Sequence, residues 1–491
     1  MKLNFLERSV SVFFPQKAFD MARSRYRGFE GAKKGKRLGS WGATLKSANA
    51  DVGAERDTLI ARSRDLEQND PFGKGAIDSI VASVVGDGII PSPFIFSSTD
   101  EEPSELQKKK MRSFDALLED WADTTNCDGA NELNLYGIQG LAMRTIAQSG
   151  MCFAVRERDP ENPSLPLRIS LYEPDLLDIN KNNDTSDVVI FKGIEISKKN
   201  WRVKAYWLLD AHPDGDLNES YINNSKRIPI EDISAPFLKL RPGQRIGIPW
   251  AYAAMTRLHT FSKYEHAQLI KQEVSALAVT YVQKPDDSDL ETAKEENYYE
   301  TREPGSNIYL NRGETVVEAN PPTVDGYGEF SQITLRGVAR AFGITYEELT
   351  QDYSNVNFSS GRMGFFSMNR NIKMWRAHML EPMFLQKISK WIIESASVKL
   401  GDLSFLRLKW TPPRREMIDP SKEISANAIA LETGQTNLSE IYAESGRDFK
   451  KAMIERKAEI DFLNSLGLVL PGVNLNINIT NIEDENAKKT V

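Results

Sequence analysis

Between about residues 50 and 150, apolar side chains recur every three or four positions, interrupted by polar and glycine-rich turns. "TLIARSRDLEQND" and "PFGKGAIDSIVASVVGDG" read as two helices separated at Asn69, Asp70 and Pro71, the second ending near Gly86 and Gly88. A third helix is predicted over about 103–125, with Leu106, Met111, Phe114, Leu117, Leu118 and Trp121 at helical spacing, and "LYGIQGLAMRTIAQSG" keeps the same period. The pattern then shortens. "MCFAVRER", "LRISLYEP" and "VKAYWLL" predict strands, so this half is mixed α+β.

A strand-like "ISAPFLKL" runs into "RPGQRIGIPW", where Pro242-Gly243 marks a turn and Pro249 stands where a first helical turn accepts proline. "AYAAMTRLHTFSKYEHAQLIKQEVSALAV" then has no internal Gly or Pro and predicts a long helix. After an acidic connection, a strand-like "NIYLNRGETVVEA" leads to a short helix at about 328–343, so that two helices with an excursion between them form a hairpin-like projection. The polar "TQDYSNVNFSSGR" predicts a loop before a helix striped with Phe365, Met368, Ile372, Trp375, Met379 and Met383. Pro382 falls inside that stripe and predicts a kink. "SFLRLKW" reads as a strand, charged helices follow over about 420–465, and the polar segment beyond Pro471 reads as a poorly ordered tail.

At 491 residues, 40% hydrophobic and 27% charged, the chain has material for two to four structural units. No window reaches eighteen consecutive apolar residues, and "MKLNFLERSVSVFFPQKAFD" lacks the features of a secretory signal, so no membrane partner and a cytoplasmic site of assembly are expected. Cys127 and Cys152 supply neither a disulfide framework nor a zinc site, and His259 and His266, seven apart, lack a carboxylate to complete a ligand set. The net charge of -7 is unevenly spread. Arg23, Arg25, Arg27, Lys33, Lys34, Lys36 and Arg37 crowd an amino-terminal arm, which reads either as a contact for phosphate or an acidic partner or as a solvated tail. Between Asp286 and Glu303, eight carboxylates face two cations. Walker A, G-x-S-x-G, H-E-x-x-H and a strand-to-helix G-x-G-x-x-G are all absent, so no catalytic residue, cofactor or metal is assigned. An enzyme with a scattered carboxylate site, a nuclease or hydrolase, stays open as an alternative.

Four stretches, in this order, carry a resemblance: "LIARSRDLEQNDPFGKGAIDSIVASVVGDGIIP", "RPGQRIGIPWAYAAMTRLHTFSKYEHAQL", "YSNVNFSSGRMGFFSMNR" and "WTPPRREMIDPSKEISANAIALETGQTNLSEIYAESGRDFKKAMIERKAEI". Over roughly residues 20–465 the chain resembles the lambda-like family of tailed-bacteriophage portal proteins. The resemblance implies a portal-type fold of mixed α/β wing, helical stem, α/β clip and helical crown. It implies assembly as a homo-oligomeric ring, commonly of twelve subunits, at one capsid vertex of the virion. It also implies double-stranded DNA in the channel and, as partners, the terminase large subunit, a head-tail adaptor, capsid and possible scaffold protein; another capsid or tail connector component is the rival within the same resemblance.

On that template, residues 1–48 are the basic arm, 49–248 the first part of the wing, 249–278 and 328–343 the stem helices and 279–327 the clip. Residues 344–362 hold the tunnel loop, 363–418 the kinked helix returning to the wing, 419–470 the crown and 471–491 a flexible tail. Asn355, Asn357, Ser359 and Ser360 are DNA-facing candidates, short polar groups that do not grip the duplex, with Arg362 able to touch phosphate. Ser359 and Ser360 read equally well as caps of the next helix. Arg336 and Arg340, four apart on the second stem helix, face either DNA or a neighbouring subunit. Asp286, Asp287, Asp289 and Glu291 are candidates for docking a partner on the clip, or else form a solubilising surface that keeps rings from stacking.

Overall fold

The structure is a computed structural model and describes residues 5–17, 42–43, 45–96, 102–213, 224–276, 280–283, 315–318, 326–413 and 420–468. Two compact units divide the chain. Residues 1–54 contain α1 (Phe5–Phe13) and α2 (Ala48–Gly53), the latter capped by the Ser47 hydroxyl. Everything else belongs to the second unit, a mixture of helices and antiparallel sheets and thus α+β as expected.

In that unit α3 (Arg56–Asn69) and α4 (Pro71–Val84) meet at Asp70, whose side chain accepts from the Gly73 amide at 2.7 Å and whose successor, Pro71, needs no donor in a first turn. β1 (Ile90–Ile95) contains Pro91 and Pro93, which a two-stranded ribbon tolerates because each strand has one unpaired edge. α5 (Glu105–Asp123) starts at a capping box made by Ser104 and Gln107. It buries Phe114, Leu118 and Trp121, and the Trp121 indole donates to the Leu167 carbonyl at 2.7 Å. Leu106, which the stripe placed on this face, is 64% exposed at the helix start. α6 (Leu135–Ser149) is buried at Leu135, Ile138, Ala142, Met143, Ile146 and Ala147 and so occupies the middle of the core.

β2 (Phe153–Glu157) and β3 (Arg168–Tyr172) pair antiparallel. β4 (Asn183–Asp184), β5 (Val188–Phe191), β6 (Ile194–Ser197), β7 (Val203–Leu209) and β8 (Ser225–Pro229) form a five-stranded meander in chain order. Of the strand expected in "ISAPFLKL", only β9 (Ile233–Ser234) is regular, and it pairs with β2. Pro236 has no amide to extend the ladder, and Phe237 adds a single bridge to Met151.

The "RPGQRIGIPW" stretch is a compact loop knotted by one side chain. Gln244, 2% exposed, accepts from the Leu240 and Arg241 amides at 2.8 and 3.2 Å and donates to the Ile246 carbonyl at 2.9 Å. Pro249 then caps a 3-10 turn, Trp250–Ala253, that leads into α7 (Met255–Ala276). β10 (Thr280–Gln283) and β11 (Thr315–Glu318) pair antiparallel ahead of α8 (Tyr327–Phe342), α9 (Tyr346–Thr350) and α10 (Phe358–Trp375). Pro382, where a kink was expected, lies within a ten-residue π-helical segment, Arg376–Leu385, continuous with α10 and with α11 (Gln386–Leu400). Proline cannot donate within the turn, and the wider π winding spreads that loss over several residues.

β12 (Leu406–Thr411) returns to β1, with Ile90 opposite Thr411 and Ile95 opposite Leu406. The remaining helices are α12 (Pro420–Glu432), α13 (Leu438–Glu444) and α14 (Phe449–Ser465). One apolar core joins α4, α5 and α6 to the roots of α7 and α8 and to the α10–α11 helix through Trp375, Phe384 and Trp391. Arg376 reaches into it and donates to the Val84 and Ser83 carbonyls, both at 2.7 Å, thereby closing the carboxyl end of α4.

Candidate functional site: the helical hairpin and the start of α10

Among the described residues, the hairpin is rooted at one end only. α7 buries Met255, Leu258 and Phe261 in its first two turns and no residue from Ser262 to Glu273. α8 does the reverse, burying Leu335, Val338, Ala339 and Phe342 near its carboxyl end. The helices run antiparallel. Arg257 lies so close to Gly337 that a Cβ there would stand 1.6 Å from its Nη1, while Tyr264 stacks on Tyr327 at 6.0 Å and meets Phe330 edge-on at 4.8 Å. Tyr327 donates to Glu265 at 3.1 Å, and partial burial raises the pKa of both groups. Away from the root, Leu269, Ile270, Phe330 and Ile333 are exposed, Leu269 and Ile333 at 66% each. Apolar side chains gathered on a projecting helix pair are suited to covering by another surface.

Arg336 and Arg340 are both exposed on α8, with the Arg336 guanidinium 5.6 Å from the centre of the Tyr346 ring. The loop between α9 and α10 is shorter than the polar sequence suggests. Asn357 caps α10, its side chain accepting from the Ser360 amide at 2.9 Å while the Ser360 hydroxyl accepts from the Asn357 amide at 3.1 Å. Ser359, Ser360 and Arg362 therefore belong to the first turns of a helix, where a loop was expected, and Asn355 alone of the five candidates lies wholly in the loop. All five are exposed. Arg362 sits 5.3 Å from the Phe366 ring centre, and Lys422 of α12 lies 5.8 Å from that of Phe358. A cleft of about 220 Å³ between this helix start and α12–α13 is lined by Arg362, Phe366, Glu423, Asn427 and Glu444. The start of α10 is thus seated against the carboxy-terminal helices, a relation that no local pattern announced.

Asp286, Asp287, Asp289 and Glu291, the cations of the amino-terminal arm and the tail beyond 468 lie outside the described residues.

Among the described residues, one group has metal-ligand composition: Glu173, Asp175 and His212, with donor atoms within 4.8 Å of one another. Glu173 and Asp175 are two apart and His212 is distant in sequence, and the three were not read as a set. Arg64 already pairs with both carboxylates, binding Asp175 through two nitrogens at 2.6 and 3.1 Å and Glu173 at 3.2 Å. These contacts are those of an ion-pair network beside a cavity of about 640 Å³. Cys127 and Cys152 are fully buried, each with its thiol pKa pushed up to about 12 by desolvation, which leaves no ready thiolate.

Residues 34–376 match the family described as phage portal protein, lambda family. The chain is 25% identical over 488 residues to the "Probable portal protein" of Halomonas phage phiHAP-1, spanning 94% of this chain and 91% of that one. It is 21% identical over 493 residues to portal protein B of Escherichia phage lambda, spanning 91% and 92%. Among solved structures, a chain from the neck of a native gene transfer agent particle computed with C12 symmetry matches at a TM-score of 0.46 and 14% identity, over 80% of this chain and 93% of that one.

Proposed function

This chain belongs to the lambda family of phage portal proteins, and from that premise we propose that copies of it close into a twelve-membered ring at one capsid vertex, around a channel that conducts double-stranded DNA during packaging and ejection. Its role is conduction and attachment, with no covalent step. The observation that carries the reading is the hairpin of α7 and α8, rooted in the core at one end and exposing Leu269, Ile270, Phe330 and Ile333 at the other. An apolar surface of this kind suits an interface repeated around a closed ring, where each copy covers its neighbour.

In this reading α7 and α8 form the stem, the segment between them carrying β10 and β11 the clip, the start of α10 and the loop before it the tunnel constriction, and α12–α14 the crown. The ring assembles in the host cytoplasm and then becomes part of the virion. Asn355, Asn357, Ser359, Ser360 and Arg362 offer DNA mostly neutral contacts, which suits passage because every phosphate held by a cation adds attraction that translocation must break. Arg336 and Arg340 face DNA or the next subunit. The acidic run with Asp286, Asp287, Asp289 and Glu291 docks basic surfaces of the terminase large subunit and then of the head-tail adaptor. Negative-stain images of the purified full chain test the assembly: rings with an axial hole are expected, and a monomer or dimer at all concentrations would overturn the reading.

A further inference from the structure

Trp201 stands at the tip of the β6–β7 hairpin with φ 56, in the left-handed region that favours Gly or Asn and disfavours a bulky aromatic. Its backbone is fully engaged. The amide donates to the Ser197 carbonyl at 2.8 Å, and its own carbonyl accepts from Arg245 Nη2 at 2.8 Å. The turn is closed by the Ser197 amide donating to the Arg202 carbonyl at 2.9 Å and the Arg202 amide donating to Asn200 Oδ1 at 3.1 Å. The indole is nevertheless 65% exposed. A glycine would meet the same backbone demands without strain, so what this position adds is the side chain itself.

The surroundings are cationic. Lys198, Lys199 and Arg202 are exposed on the turn, with Lys198 paired to Asp184. Arg245 ties the tip to the loop on which Arg241 and Leu240 are exposed, Leu240 at 48%. In a chain of net charge -7 this is a local reversal of sign.

We propose that the Trp201 tip and the adjoining 240–245 loop form a docking surface for an acidic protein segment that brings an apolar side chain onto the indole. An exposed tryptophan beside arginine is the usual composition of a protein-binding hot spot, and the lysines add charge around it. A DNA duplex would use the cations alone, because its bases are stacked inside and offer no apolar face to cover a fixed indole. The cations provide attraction and register, and the indole contributes the desolvated centre.

The test uses the full chain and a fluorescein-labelled peptide of repeating Glu-Leu-Asp-Glu units, followed by fluorescence anisotropy at low and moderate salt, with a short DNA duplex titrated separately. Wild-type protein binds the peptide, and Lys199→Glu with Arg202→Glu weakens it by about tenfold or more. Trp201→Gly weakens it by about fivefold, and its thermal midpoint is unchanged or raised because backbone strain is relieved. Duplex binding is unchanged in Trp201→Gly, and any loss of it in the charge-reversed variant is smaller than the loss of peptide binding. Absence of peptide binding by the wild type, equal affinity in Trp201→Gly, or loss of duplex rather than peptide binding in these variants each overturns the proposal, the last by making the surface a DNA contact.

Discussion

Gly150 and Gly247 meet backbone to backbone: a Cβ on Gly247 would stand 2.0 Å from the Gly150 carbonyl oxygen, and one on Gly150 would stand 2.6 Å from the Ile248 carbonyl carbon. The end of α6 is thereby locked to the loop that launches α7, and of the two "RPGQRIGIPW" glycines Gly247 serves close packing, while Gly243, with φ 78 and open space around it, serves a left-handed turn. Gly247→Ala is expected to destabilise the chain by about 1–3 kcal/mol, read as a lower urea midpoint. Gly140→Ala is the contrasting change, since a Cβ within α6 at that position meets nothing within 4 Å, and it gains up to about 1 kcal/mol from helix propensity.

Ala339 and Ile333 lie on one helix with opposite exposures, 2% and 66%. Ala339→Asp buries an unpaired carboxylate in the α7–α8 root and is expected to cost several kcal/mol, about 3 or more, with loss of soluble folded protein. Ile333→Asp leaves the subunit fold and its circular dichroism intact while the ring falls apart on a sizing column. Intact rings from Ile333→Asp would remove the exposed hairpin surface from the assembly interface.

The start of α10 separates two roles that the sequence ran together. Asn357→Ala removes the cap and costs about 1 kcal/mol of stability, whereas Asn355→Ala, out in the loop, leaves the urea midpoint within error. If the loop faces DNA at the constriction, Asn355→Ala rings instead show an altered packaging rate. A stability loss from Asn355→Ala equal to that from Asn357→Ala would make the loop structural.

Burial holds Cys127 and Cys152 as thiols, with pKa values pushed up to about 12 from an ordinary 9.0. Between those values the unfolded chain has lost two protons that the native chain keeps, so stability falls as pH rises from about 9 toward 12 and is unaffected by these groups below that window. At pH 8, a thiol reagent is expected to label neither cysteine in native protein and both in urea. The urea midpoint is expected to drop between pH 8 and pH 10.

What the sequence disclosed was local. Asp70-Pro71 announced the α3–α4 junction because cap and N1 preferences act within four residues, and α5, α6, β2, β3, β7 and β12 followed from period alone. The start of α10 was hidden by Ser359, Ser360 and Gly361, weak helix formers that read as loop until the Asn357 box is seen to hold them. Four strands of the five-stranded meander went unread: β4, β5 and β6 have at most four residues each, and β8, "SKRIP", has a single apolar side chain besides its proline and so no alternation to see. The π segment was foreseen only as a disturbance at Pro382. The Glu173–Asp175–His212 group and the seating of α10 on α12–α13 depend on tertiary contacts, which no single stretch encodes.

The β1–β12 ribbon makes the order of synthesis matter. Ile90 waits for Thr411, so more than three hundred residues leave the ribosome before this ladder can close. A nascent chain short of residue 411 carries β1 as an open edge, able to pair with the wrong strand. Because α5 lies against β1 and α11 against both α5 and β12, the core around them also stays unfinished until then. The chain thus reaches its final packing late and nearly whole, and one truncated upstream of β12 has no partner strand with which to close this ribbon.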